Sequence, residues 1–331
     1  GGGAGACIVS IGYTIPAGTY TVQVGAGGLG GQTTVSPSMG GDSSIGTIFI
    51  AKGGGGVISG YDVNGQTGGC AGGGTYNTGQ GGTAATTNKV NNIPNISPSA
   101  TSSYAVLGTN GGNSLAHNGT YSNANSGGGG GIGGAGGNAV VQTSTTGPGV
   151  GGVGAYQAII GGTPYNFKTY FSPNTTFGVL SGGNYYVGGG GAGGGYQDAA
   201  YFGQIYINGG LGGGGQGVDT NGTPATIASQ HATANTGSGG GSGGGNGGSG
   251  IIIIRYNASV DKNILIKKVN TDLSFQVNNT PLYNFPSFND NMWTHVMWNI
   301  TNTTSSQGFI RINNGTKQLV SKTTLNNTSL L

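Results

Sequence analysis

The side chains that most often carry catalysis are scarce in this chain and stand apart from one another. Its three histidines, His117, His231 and His295, are widely separated, and none has a Cys, an Asp or a second His at ligand spacing, so no metal site is expected. His295 lies between apolar neighbours, where a hydrogen-bonded structural imidazole is the expected role. There is no glutamate, and the seven acidic residues are all aspartates. A glycosidase pair would have to be assembled from those scattered carboxylates. Asp198, in the Tyr-rich stretch 196–198, is one carboxylate with no partner. No G-x-S-x-G elbow follows a strand. Matches to G-x-G-x-x-G are frequent, but this composition produces them by chance, and none leads from an apolar strand into a helix. No G-x-x-x-x-G-K-[ST] occurs. These absences argue against an enzyme and against a bound cofactor.

Three other sets of residues suit recognition or modification. Tyr165, Tyr170, Tyr185, Tyr186, Tyr196 and Tyr201 fall in segments rich in Asn, Ser and Gly, the vocabulary of adaptable binding surfaces. Their rings can stack on the apolar face of a pyranose while amides and hydroxyls supply hydrogen bonds, or they can simply fill space between loops. Asn-X-Ser/Thr sequons occur at Asn95, Asn118, Asn174, Asn221, Asn257, Asn278, Asn299, Asn302, Asn314, Asn326 and Asn327. In a eukaryotic secretory route some would carry sugar; in a chain this rich in Asn, Ser and Thr they also arise by chance. Cys7 and Cys70 are a disulfide candidate, although two cysteines define no framework and two small buried thiols are the simpler expectation.

The elements that would hold these residues are dictated by glycine, which supplies 79 of 331 residues. Residues 127–138 read GGGGGIGGAGGN, four consecutive Gly-Gly-X triplets whose third positions are Gly129, Ile132, Ala135 and Asn138. Looser versions occur at 188–195, 209–217 and 237–250; in the last, Gly241, Gly244, Gly247 and Gly250 fall in step. A period of three belongs to neither an α-helix nor a strand but to the extended three-residue-per-turn helix. Without side chains such helices can pack backbone on backbone, aided by Cα–H···O contacts. A bundle of polyglycine-II helices is therefore expected, and a Cβ placed at Gly244 is expected to hold neighbouring helices apart. Ordering this much glycine is costly. However, 34% of residues are hydrophobic, only 5% are charged, and sixteen tyrosines and nine phenylalanines are available for packing, which favours an ordered chain.

Strands are expected at about 6–13 (ACIVSIGY) and 19–25 (TYTVQVG), forming a hairpin across a Pro-Ala-Gly turn, then at 44–51 (SIGTIFIA) and 250–256 (GIIIIRY). The last is a continuous β-branched run of the kind found in a buried strand beside the first ones. Residues 57–126, 155–186 and 196–236 read as long loops joining glycine segments. The composition changes after Tyr256, dividing the chain into a glycine-rich domain, 1–257, and a β-rich module, 258–331, with strands around 264–277, 292–300 and 308–314. The fold class expected is mainly β with a polyglycine-II bundle, a small framing sheet, a C-terminal partial β-sandwich and essentially no α-helix. A net charge of +3, thinly spread, is too weak for a nucleic-acid surface. No apolar run reaches about 18 residues, so no membrane insertion is expected.

The segments PAGTYTVQVGAGGLGG (16–31), GGDSSIGTIFIAKGGGG (40–56) and GGSGIIIIRY (247–256) resemble the glycine-rich domain of phage tail-fibre adhesins and of surface proteins of large DNA viruses. The resemblance implies a polyglycine-II sandwich whose distal loops recognise a host. Trp293-Thr294-His295-Val296 followed by GFIRINNG (308–315) resembles a concanavalin- or laminin-G-like jelly roll. The module is about half the length such a sandwich needs, so either the rest is missing or another chain completes its sheet. The function implied is a virion-surface, extracellular structural and attachment protein: a fibre, spike or minor capsid component. Its partners would be other virion proteins and a host glycan or surface protein. A purely architectural, capsid-decorating protein is the alternative. An ice-binding protein is a third reading, weakened because the X positions form no regular Thr or Ala array.

Overall fold

The computed structural model describes residues 1–31, 37–57, 63–75, 78–115, 125–141, 146–171, 177–195, 207–217 and 230–255, and the backbone of six strands between Ile264 and Lys322. The chain divides into two compact units, Gly1–Ile254 and Arg255–Leu331.

The first unit is organised by the three-residue period. In segment 1–6, the nitrogens of Gly2 and Gly5 donate to Gly240 and Gly237 at 2.9 and 2.8 Å, and those of Gly3 and Ala6 donate to Gly55 and Lys52, both at 2.8 Å. The nitrogens of Gly1 and Ala4 donate to Gly127 and Gly130, both at 3.0 Å. Every third residue thus addresses the same neighbour, and three successive residues address three different ones. The carbonyls of Gly1 and Ala4 accept from Gly73 and Cys70, and that of Gly2 accepts from Gly191. One short glycine helix is therefore wired into five others, some parallel to it and some antiparallel. No α-helix or strand can distribute its hydrogen bonds around its axis in this way. The pattern recurs throughout: Ser126, Gly129 and Ile132 donate to Gly194, Gly191 and Gly188, and Gly247 and Gly250 donate to Gly28 and Gly25. A Cβ built on Gly129 would collide with the carbonyl of Gly2, and one on Gly191 with that of Gly240. The polyglycine-II bundle expected from the sequence is thus visible in the bonding.

The glycine helices are shorter than the sequence pattern suggests. Residues 127–138 are not one helix. Gly128 donates to Gly137 and Gly131 to Gly134, so the tract doubles back on itself at 132–134. The tract 237–250 likewise turns at 242–244, where Gly243 and Gly244 have φ of +90° and +102°. Gly244 is a turn residue, and a valine there would be strained by its backbone rather than by helix packing.

Most strands of the first unit cluster at one end of the bundle, here the hairpin end. β1 (Cys7–Ser10) continues the central helix and pairs with β8 (Tyr104–Leu107), which also pairs with β7 (Ser99–Ala100). β2 (Val22–Gln23), β3 (Ser43–Ile45), β4 (Phe49–Ala51), β5 (Asn88–Val90) and β6 (Ile93–Ile96) form an antiparallel sheet in that order. The expected hairpin of 6–13 with 19–25 is therefore absent. β1 leaves the middle of the bundle, whereas β2 feeds the helix at 25–31, and the two find different partners. The stretch 44–51 is two strands folded about Gly46, with Ile48 buried in the turn. The expected strand at 250–256 does not form among its described residues. The bonds of its helix end at Gly250, and Ile251, Ile253 and Ile254 stand 36%, 37% and 52% exposed.

The segments read as long loops carry much of this structure. β9 (Val140–Val141) pairs with β10 (Thr146–Gly147). Residues 155–186 hold β11 (Gln157–Ile160), β12 (Thr163–Asn166), the single short helix α1 (Phe167–Phe171), β13 (Val179–Ser181) and β14 (Asn184–Tyr186), with β11–β12 and β13–β14 as two hairpins. Where these elements meet the glycine helices there is a hydrophobic core, built from Val9, Ala105, Ile132, Ala158, Phe167 and Val187 among others. In the second unit β15 (Ile264–Val269), β16 (Asp272–Val277) and β17 (Thr280–Phe285) make one antiparallel sheet, and β18 (Val296–Ile300), β19 (Ser306–Ile312) and β20 (Gln318–Lys322) make another. The protein is mainly β, with one short helix among the described residues.

Candidate functional site

The hairpin end presents the aromatic residues singled out from the sequence. Both hairpins turn on a Gly-Gly pair with left-handed φ at each residue: +56° and +80° at Gly161 and Gly162, +54° and +81° at Gly182 and Gly183. Two such residues make the tight turn whose twist matches that of the flanking strands. The turns hold β12 and β14 beside α1. Asn166 caps that helix, its Oδ1 accepting the N–H groups of Lys168 and Thr169 at 3.0 and 3.3 Å. Its Nδ2 donates to Asn184 Oδ1 at 2.7 Å, which ties the two hairpins together.

Tyr165 and Tyr170 meet edge to face with centroids 4.9 Å apart. Tyr186 packs against Tyr156 at 5.0 Å, and Tyr185 against Phe177 at 5.7 Å. The Lys168 ammonium lies 5.8 Å from the Tyr185 ring centre and donates to the Gly183 carbonyl at 2.9 Å. All four predicted tyrosines here are half-buried, their rings partly engaged with each other and partly open to solvent. Tyr196 and Tyr201 lie outside the described residues. Gly195, the last described residue before them, pairs with Asn125 at the far end of the bundle. The structure thus brings together four of the six tyrosines. Lys168, Asn166, Asn184, Tyr156 and Phe177 join them without having been expected, and the Gly-Gly pairs flanked by Ile160/Thr163 and Ser181/Asn184 are the sequence signal for that corner.

A second surface runs along the flank of the bundle. Six neighbouring glycine helices expose the ends of a four-residue X-Gly-Gly-X pattern: Gln80/Thr83, Asn110/Asn113, Ala135/Asn138, Val150/Val153 and Asn208/Leu211, with Asn64/Thr67 as a variant. The asparagines lie across the face. Asn64 Oδ1 accepts from Gln80 N, Asn113 Oδ1 from Gly81 N, Asn110 Oδ1 from Ala84 N and Asn138 Oδ1 from Asn113 N, all at 2.8–2.9 Å. A glycine helix at the edge of a bundle has N–H groups with no further helix to bind, and these amides satisfy them. The face carries no charge. Its polar half grades into Val150, Val153 and Leu211, 55%, 50% and 36% exposed.

The remaining candidates are placed as follows. Cys7 and Cys70 are both free thiols. Burial pushes both up to about 12; for Cys70 a backbone hydrogen bond at Thr109 pulls the other way and Cys7 adds a small upward push. Cys7 keeps part of its surface accessible while Cys70 keeps none. Of the sequons, Asn95 is exposed on β6 with φ +57° and Asn299 falls in β18; Asn118, Asn174, Asn221, Asn257, Asn278, Asn302, Asn314, Asn326 and Asn327 lie outside the described residues. His231 accepts the Asn246 N–H on Nδ1 at 2.9 Å. No group of metal-binding side chains and no helix long and apolar enough to cross a membrane occurs among the described residues.

Neither a curated relative nor a solved structure matches the chain. The model of a family described as the glycine-rich domain matches residues 1–257, the whole of the first unit and the start of the second. The chain belongs to that glycine-rich domain family.

Proposed function

We propose that this protein is a structural and attachment component of a virion surface, a fibre, spike or minor capsid protein, whose glycine bundle holds a recognition surface for a host glycan or surface protein. One observation carries the reading: half-buried Tyr165, Tyr185 and Tyr186 stand on two tightly turned hairpins, and Tyr170 on the short helix between them, all seated on the glycine bundle. Preorganised rings with amides beside them are what sugar recognition needs. The resemblance of residues 16–31, 40–56 and 247–256 to phage and viral adhesin domains supports it. The two three-stranded sheets of the second unit are compatible with part of a laminin-G-like sandwich, completed by a second copy. The test is a glycan array with the intact chain. Binding that falls at least about tenfold in Tyr170→Ala or Tyr186→Ala, with unchanged melting, supports the reading. Binding unaffected by both variants would leave the rings as packing.

A purely architectural role is favoured by a different observation, the flat uncharged flank with its exposed Val150 and Val153. Such a face suits lateral packing against another assembly component. Ice binding draws less support from that face, because its asparagine oxygens are turned to the protein backbone rather than to solvent.

A further inference from the structure

The hairpin end holds a cation with no ionic partner among the described residues. Between Asp62 and Asp198 the sequence contains no acidic residue, and Lys89 and Lys168 are its sole basic ones apart from His117. The one ion pair among the described residues joins Lys52 to Asp42 at 2.7 Å. Lys168 has no carboxylate partner among them. Its ammonium spends one N–H on the Gly183 carbonyl, and its other donors are left over. Residue 184, adjacent to that carbonyl, is an asparagine. Its Oδ1 is held by Asn166 at 2.7 Å, and its Nδ2 makes no hydrogen bond among the described residues. The backbone of α1 is fixed in turn by the Oδ1 of Asn166. An ammonium and an amide N–H₂ are therefore held at one corner by the same pair of asparagines, beside the ring of Tyr185. Phe177 and Lys168 both lie beside that ring, at 5.7 and 5.8 Å from its centre, so it lines the corner. In a chain with so little charge, a lysine that has no counterion among the described residues, beside fixed donors, suits an anion.

We infer that this corner binds an anionic sugar, a carboxylate or sulfate group bridging Lys168 and Asn184 while the sugar hydroxyls reach the neighbouring tyrosines. The inference rests on the glycan reading above and narrows its ligand. The test uses the whole chain on an array of matched pairs, each sialylated, uronic or sulfated oligosaccharide printed beside its desialylated, carboxyl-reduced or desulfated counterpart. The charged member of at least one pair should bind about tenfold more tightly, the size of one charge-assisted hydrogen bond. That preference should disappear in Lys168→Gln, survive in Lys168→Arg and weaken with added salt. Melting of each variant separates loss of the corner from loss of the fold, and Lys168→Arg retains the tie to Gly183. Sialylated and uronic pairs against sulfated pairs distinguish the two anions. If both members of every pair bind equally, or if Lys168→Gln keeps the preference, the anionic site is overturned while the glycan reading stands. If no sugar binds at all, both fall together.

Discussion

At single residues, the decisive fact is how little room a glycine leaves. Gly129 faces the Gly2 carbonyl across a gap that a Cβ cannot occupy without moving backbone, and neither partner has a flexible side chain to yield. Gly129→Ala should therefore destabilise by roughly 1–3 kcal/mol or more, as overpacking does. Ala135→Ser, at an exposed third position, should leave the melting temperature unchanged. Calorimetry on the pair decides it, and equal melting of the two would refute direct backbone packing. Cys70 gives a second prediction. Its thiol is held up to about 12 by burial, against an ordinary 9.0. The unfolded chain therefore loses that proton first as pH rises through about 9, while the folded chain keeps it until about 12. Stability is unaffected below the ordinary value and falls between the two. Melting temperature should be level from pH 6 to 8 and decline above about 9, and Cys70→Ala should flatten part of that decline. The Cys70 thiol should also resist alkylation until the protein unfolds.

At the scale of the element, the three-residue period was legible and the turns were not. The bonds of 1–6 and 126–132 repeat every third residue as GGX triplets require, yet nothing in GGGGGIGGAGGN marks position 132 as the place where the chain doubles back. Any glycine can turn, so in a glycine tract a turn leaves no signature of its own. The hairpins suffered the opposite confusion. The Gly-Gly pairs in AIIGGTPY and VLSGGNYY are ordinary tight-turn signals, but beside longer glycine runs they read as more scaffold, and strands of three or four residues are too short to show alternation. The run IIIIR misled for a related reason: β-branched residues favour a strand, but a strand needs a partner, and none pairs with 251–254 among the described residues. The hairpin turns yield a test. Gly182→Asn should be tolerated, because asparagine accepts left-handed φ and stiffens the unfolded chain; Gly183→Val at φ +81° should lower stability by about 1–3 kcal/mol and blunt any sugar binding. The flank asparagines yield another. Asn138 Oδ1 accepts from the backbone N–H of Asn113, which Asn113→Ala keeps, while Asn113 Oδ1 accepts from Gly81, so the losses in Asn113→Ala and Asn138→Ala should add in a double-mutant cycle. Non-additive losses would mean that each amide depends on its neighbour in the row.

Over the first unit as a whole, stability comes from connection more than from a hydrophobic core. Gly1–Ala6 makes contacts with segments around residues 52, 71, 128, 191 and 238, which are scattered along the sequence, so the central helix forms only when its neighbours are already in place. The apolar core sits off to one end, under the hairpins, where side chains are large enough to pack. Two kinds of order therefore meet in one unit, and they should open differently. Amides of residues 2–6 each have a carbonyl on another helix, and releasing one means separating several segments at once. Those of Ala135 and Val150, on the flank, have no backbone acceptor among the described residues and should exchange freely. The β13–β14 hairpin, joined to the rest mainly through Asn166 and side-chain packing, should open at intermediate cost. Hydrogen exchange read by mass spectrometry should then rank residues 2–6 slowest, near the rate set by global unfolding, the hairpins next and the flank fastest. Central amides that exchange as quickly as the hairpins would mean that the bundle breathes helix by helix. A scaffold of that kind could not hold Lys168 and the tyrosines in fixed relation.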